Sequence, residues 1–346
     1  MAFLRFAETL IIALIGGVGF TLVGFPAGLI SGSMLAVAAA GVAGRPVVVP
    51  HVVARICFVL IGILVGAAVT PGTLRGIAQW PLSVVLLVIA ALCMIAATAF
   101  YLRRVHGWDR LSALMGASPG SLAQVMVMSA EYGLDLRAIA VVQTMRVLLL
   151  TLGLPGGLAL FGLTTGRVAP PGISVPDPAE IAILVTVSTA CALALMRVRF
   201  PGGLLFGSMA GSGVLHGTGL VHAILPWWTT AAGMITLGAV AGARFAHTSP
   251  RVLLGYMGAA LGSFAVAIAV ASCFVLIVVS VLPFRIADVV VAFSPGAQDT
   301  MMVLALALHL DPIYVGAHHL TRFLVVSFSV MLMARRMARD SSGPRT

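Results

Sequence analysis

The chain has 346 residues, of which 60% are hydrophobic and only 9% charged, and its mean hydropathy is +1.13. A water-soluble domain of this size needs a polar surface, so composition excludes one. The formal charge of +10 comes entirely from Arg, since the sequence has no Lys, and the 20 Arg are scattered in ones and twos between apolar runs. That scatter excludes a nucleic-acid-binding face and fits loop charges that orient a membrane protein.

Charge-free tracts run over 9–44, 56–74, 76–102, 200–243 and 252–284. A membrane helix needs about 20 apolar residues to cross about 30 Å of hydrocarbon, so the longest tracts must fold as hairpins. In chain order the spans are predicted at 8–24, 28–44, 54–70, 82–102 and 138–160, with an awkward stretch over 111–130. That stretch is long enough to cross but carries Ser118-Pro119-Gly120-Ser121 at its middle. Pro and Gly break a helix where lipid cannot satisfy the freed backbone, so two half-helices are predicted there. Residues 1–25 resemble a secretory signal, but their counterpart later in the chain argues for retention.

The sequence is duplicated. Residues 25–34, FPAGLISGSM, return at 200–209 as FPGGLLFGSM. Ser118-Pro119-Gly120 returns as Ser294-Pro295-Gly296, Asp135 as Asp311 and Arg146 as Arg322, while Gly62, Gly66 and Arg75 match Gly238, Gly242 and Arg251. The expected organisation is a first membrane repeat over 1–160, a Pro-rich connector over 161–178, a second repeat over 179–334 and a cytoplasmic tail over 335–346. If the Ser-Pro-Gly segments re-enter without crossing, each repeat has five spans and the second is inverted. Fifteen Arg then fall on the cytoplasmic side against three outside, with Arg146 and Arg322 inside the bilayer; six crossings give twelve against six. Positive-inside sorting favours the first arrangement, with both termini cytoplasmic. The fold class is therefore all-α, a polytopic membrane bundle made of an inverted repeat of two five-span modules, each with a re-entrant or broken helix.

A helix interrupted near the bilayer midplane leaves amides without partners and a partial positive charge, which suits a polar solute. The candidate binding residues are Ser118, Gly120, Ser121, Gln124 and Arg146 in the first repeat. In the second they are Ser294, Gly296, Gln298, Asp299, Thr300, His319 and Arg322. Asp299 is suited to exchanging a proton or holding a cation. The competing reading is an ordinary helix start, with Ser118 and Ser294 capping, Pro in the first turn and Asp299 answering the dipole. Arg146 and Arg322 require compensation inside the membrane, from Glu131, Asp135, Asp299 or an anionic substrate, or by snorkelling of Arg146. His319 is either a proton relay or a packed, hydrogen-bonded imidazole.

Other features point to structure. His309, His318 and His319 form the one dense His cluster, but adjacent residues on a helix point about 100° apart and cannot share a metal without distortion. No metal site or cofactor is expected. Cys57, Cys93, Cys191 and Cys273 lie in apolar runs and are expected to be small buried hydrophobes. Gly62-x-x-x-Gly66 and Gly238-x-x-x-Gly242 are expected to pack helices closely, and Trp80, Trp108, Trp227 and Trp228 to anchor span ends at the interface.

The duplicated Phe-Pro-Ala/Gly-Gly-Leu block, the later Ser-Pro-Gly block and their apolar spacing resemble the bacterial membrane proteins called the AbrB duplication family, over nearly the full chain. That family carries inherited labels of AbrB-type transcriptional regulator and ammonia monooxygenase, and nothing in this chain resembles the small soluble AbrB DNA-binding domain. More distantly, the resemblance implies the fold of the cation:proton antiporter and bile-acid symporter superfamily. The resulting expectation is a non-enzymatic secondary transporter in the bacterial inner membrane. It would move a small polar or anionic solute coupled to a proton or sodium, and homo-oligomerisation is possible. An indirect effect on gene expression is the alternative, and a membrane oxygenase is disfavoured for want of metal ligands.

Overall fold

Asp and Ser side chains cap several of the helix starts in this chain, and Pro or Gly stands at many of the other boundaries. The structure, a computed structural model, describes residues 2–69, 78, 80–119, 122–163, 177–246 and 248–341. Among these residues there are fourteen α-helices and no strand. The first seven are α1 (Ala2–Leu22), α2 (Gly28–Val42), α3 (His51–Gly66), α4 (Trp80–His106), α5 (Arg110–Ala117), α6 (Leu122–Glu131) and α7 (Leu136–Leu160). The next seven are α8 (Pro178–Arg197), α9 (Gly203–Gly217), α10 (Trp227–Gly242), α11 (Pro250–Val281), α12 (Ile286–Phe293), α13 (Gln298–Ala307) and α14 (Pro312–Ser341). The lengths run in the same order twice. The second, third, fifth and sixth helices of each series have 15, 16, 8 and 10 residues.

Local chemistry explains the boundaries. Asp109 caps α5 through the amides of Leu111 and Ser112, and Asp135 caps α7 through Arg137 and Ala138. Asp311 caps α14 through Ile313 and Tyr314, and Asp177 caps α8, whose first residue is Pro178. The duplicated FPAG and FPGG blocks form the turns into α2 and α9, where Ala27 (φ 53°) and Gly202 (φ 67°) both take the left-handed conformation. Gly133 and His309 share that conformation after α6 and α13, so His309 closes a turn and is not part of a His site.

Six helices, α1, α4, α7, α8, α11 and α14, are long and apolar enough to cross a membrane. They present large apolar side chains outward, among them Phe3, Ile15, Leu254 and Leu276. The molecule is a polytopic membrane helical bundle. Several expectations need adjusting. Helix α1 begins at residue 2, six residues before its predicted start. Cys93 and Cys273 lie on exposed helix faces, and only Cys57 is buried. Trp80 is buried with its ring edge-on to Tyr314 at 5.8 Å, so it packs as core, whereas Trp227 and Trp228 are exposed at the start of α10. Most of the connector, and Gly120 and Ser121, lie outside the described residues.

The chain forms two compact units. The first comprises Met1–Trp80, Thr151–His247 and Asp299–Val315. Within it glycines let backbones meet. A Cβ on Gly62 would stand 2.3 Å from the Leu205 carbonyl of α9, and one on Gly66 2.5 Å from that of Met209. Reciprocally, Gly238 and Gly242 of α10 abut the carbonyls of Ile30 and Met34 of α2. The glycine pair of each series thus fits the FPxG-initiated helix of the other, confirming the close-packing reading. Hydroxyls add to the packing: Ser212 Oγ of α9 donates to Ile63 O of α3 at 2.8 Å, and Ser33 Oγ of α2 donates to Ala13 O of α1 at 2.6 Å.

The second unit comprises Pro81–Leu150, Thr248–Gln298 and Gly316–Thr346. Its core includes Leu102, Ala113, Val142, Met145, Ala259 and Ala260. This unit holds both Ser-Pro-Gly turns.

Candidate functional site

A residue before proline is disfavoured in helical backbone and proline itself brings no amide hydrogen, so Ser-Pro favours a helix end. Ser118 terminates α5 and Ser294 terminates α12, each with extended backbone and each buried. The stretches predicted to break resolve into half-helices of 8 and 10 residues, α5 with α6 and α12 with α13. Ser294 Oγ donates backward to Val291 O at 2.8 Å. It therefore seals the end of α12, whose C-cap is Ser294, and α13 begins four residues later at Gln298.

The last carbonyls of a helix lack intrahelical donors and carry its negative end. Arg146 of α7 turns onto those of α5, donating from Nη2 to Ser118 O at 3.0 Å and from Nη1 to Ala117 O at 3.4 Å. Arg322 of α14 does the same at the other break, donating to Ser294 O and, at 2.6 Å, to Gly296 O. The planar guanidinium fork suits two neighbouring carbonyls. Backbone carbonyls thus compensate these arginines, and among the described residues of their own unit neither pairs with Glu131 or Asp135. Asp135 is taken by the Tyr256 hydroxyl at 2.8 Å, which is the main reason its carboxyl lies below the usual range. Asp299 pairs with Arg244, and Glu131 is exposed.

Three residues before each Arg stands a second donor. His319 Nε2 lies 3.0 Å from Val291 O, and Gln143 Nε2 donates to Met115 O at 2.8 Å. Facing a carbonyl, His319 Nε2 must carry the hydrogen, so Nδ1 is the acceptor for Arg322 Nη2 at 2.7 Å. The imidazole is a neutral bridge that steadies the Arg322 clamp. Gln143 escaped the sequence reading, although its spacing to Arg146 equals that of His319 to Arg322. His318 points elsewhere, to Ser83 Oγ at 2.8 Å, as expected for adjacent helical residues.

The remaining candidates divide between the repeats. Gln124 Oε1 accepts from Ser327 Oγ at 2.9 Å. In the second repeat, Asp299 Oδ1 accepts the Thr300 amide at 2.9 Å while Oδ2 lies 3.6 Å from Arg244 Nη2. Thr300 Oγ1 and Gln298 Oε1 are buried without a hydrogen-bond partner among the described residues. Arg244 follows the Gly238-x-x-x-Gly242 helix directly, and its place in a loop-charge count concealed its role. At the positions matching Asp299 and Arg244 the first repeat has Ala123 and Ala68, so the ion pair belongs to one half only.

Comparison with known proteins supports a family assignment. A family model described as "Transition state regulatory protein AbrB" matches residues 29–338. A Bacillus subtilis (strain 168) protein, "Uncharacterized protein YhjN", is 24% identical over 289 residues, covering 77% of this chain and 74% of its own. An Escherichia coli (strain K12) protein named "Putative regulator AbrB" is 24% identical over 347 residues, covering 98% of this chain and 97% of its own.

Proposed function

This chain belongs to the AbrB family, and from that premise we propose that it is a secondary transporter of a small polar or anionic solute, coupled to a proton or cation, and not an enzyme. The observation that carries the proposal is the doubled helix interruption, with buried Ser118 and Ser294 each ending a half-helix whose carbonyls an Arg holds. A buried break is costly to maintain in a membrane protein, and such breaks are a recurring means of presenting backbone groups to a solute. In this reading the two repeats are inverted, each crosses the bacterial inner membrane five times, the Ser-Pro-Gly segments re-enter, and both termini are cytoplasmic.

The name of the Escherichia coli relative supplies a second reading, a membrane protein that affects gene expression indirectly. Flux separates the two. Purified protein in proteoliposomes should accumulate or release a solute first picked out by thermal stabilisation across a small-metabolite panel, since a ligand that prefers the native state raises the Tm. Arg322→Ala and Asp299→Asn should lose that flux. Unchanged flux in both variants removes the breaks from the mechanism, and a phenotype with no flux for any stabilising solute favours the regulatory reading.

A further inference from the structure

Asp299 and Arg244 form a buried-edge ion pair with unusual features. The guanidinium is about a quarter exposed and meets the carboxylate at 3.6 Å, beyond hydrogen-bond length, and Asp299 is its one partner among the described residues. Five N–H donors therefore hold a single distant acceptor. The carboxylate also takes the Thr300 amide, in the first turn of α13, and Thr300 Oγ1 in that same turn is fully buried and without a hydrogen-bond partner among the described residues. Among the described residues of the first unit, the Cys57 thiol of α3 is also within electrostatic reach of Asp299. Asp299 thus occupies the place a bound carboxylate would take, between a helix amide and a loosely held guanidinium.

We propose that Arg244 is the anchor for a carboxylate substrate and that Asp299 is its resident surrogate, released when it takes up a proton. Protonated Asp299 gives up its claim on the guanidinium, and the incoming carboxylate then pairs with Arg244 in a bidentate fork. Charge balances at each stage: the empty pair is neutral, and so is the site with a proton on Asp299, a guanidinium and one anion. Proton and carboxylate bind together or not at all, which couples their movement without net charge. The first repeat, with Ala68 and Ala123 at these positions, lacks the device. This inference rests on the transport reading for its purpose but not for its chemistry.

The test is calorimetric titration of full-length wild-type protein with acetate, lactate and benzoate, with ethylammonium as control, in buffers of differing ionisation enthalpy. A carboxylate should bind with uptake of a proton, and wherever one proton is taken up its affinity should fall about tenfold per pH unit. Asp299→Asn should abolish proton uptake and the pH slope while still binding. Arg244→Gln should weaken binding at least about tenfold, and an unliganded Tm equal to wild type controls for its folding. Binding of no carboxylate, binding without proton uptake, or a pH slope surviving in Asp299→Asn overturns the inference. Flux of some other solute class in proteoliposomes removes the carboxylate assignment and leaves transport standing. Proton-linked carboxylate binding with no flux does the reverse.

Discussion

Truncating Arg322 to Ala tests the clamp directly. The Ser294 carbonyl keeps the Gly296 amide at 2.8 Å, but Gly296 O and His319 Nδ1 lose the donors that reach them at 2.6 and 2.7 Å. A buried acceptor left without its donor costs about 1–3 kcal/mol, so the pair costs about 2–6 kcal/mol, offset in part because no guanidinium need then be kept from water. Arg146→Ala surrenders one good bond, to Ser118 O at 3.0 Å, and a weak one at 3.4 Å, for about 1–3 kcal/mol. Arg322→Ala should therefore melt below Arg146→Ala. Arg322→Lys should fall between Ala and wild type, because a single ammonium cannot span two carbonyls and an imidazole in one plane. Thermal unfolding in lipid nanodiscs, followed by circular dichroism, reads the order. An Arg322→Ala protein as stable as Arg146→Ala would refute the reasoning.

His319→Gln should be close to neutral in Tm, since the first repeat already uses Gln143 at that position, whereas His319→Leu should cost about 1–3 kcal/mol by taking the Nδ1 acceptor from Arg322 and leaving Val291 O with the Ser294 hydroxyl alone. Gly62→Ala places a methyl 1.9 Å from Ser208 Oγ and 2.3 Å from a backbone carbonyl, and should lower stability by about 1–3 kcal/mol or more in the same assay. Ala27→Gly, which adopts the second repeat's solution at a left-handed turn, should raise Tm or leave it unchanged. Asp135 has a native pKa below its ordinary 3.8, so its stabilisation is complete above that value and is lost as the pH falls toward the native one. Tyr256→Phe removes the main cause and should move the acid-unfolding midpoint to higher pH.

Much of the architecture was legible because lipid leaves a chain few options. A run of apolar residues long enough to cross favours a helix, and a Ser-Pro-Gly-Ser or Ser-Pro-Gly turn at its middle favours a break, so the half-helices around Ser118 and Ser294 followed from local sequence, although Pro155-Gly156 stays helical within α7. The glycine pairs at 62 and 238 were legible as contacts, although their partners were not, since spacing within one helix says nothing of which helix it meets. The compensation of Arg146 and Arg322 was missed for a different reason. Their partners are carbonyl oxygens, which every residue possesses, so a search among acidic side chains could not find them. Arg244 was hidden by its position at a helix end, where an Arg ordinarily counts as a loop charge. Trp80 and the exposed cysteines depend on which helix face turns inward, and helices apolar all round carry little record of that choice.

The reciprocal glycine seams bear on how the protein is made. Helix α3 closes its bare ridge against α9, and α2 receives α10, so residues from the opening fifth of the chain wait for partners synthesised 143 residues later (Gly62 with Leu205) and 208 residues later (Ile30 with Gly238). A polypeptide stopped after α7 would leave the ribosome with two small-residue grooves open to lipid and nothing to fill them. Assembly is thus a late event in which the two halves interlock, and a chain severed between α7 and α8 should become functional only when both pieces are produced in the same membrane.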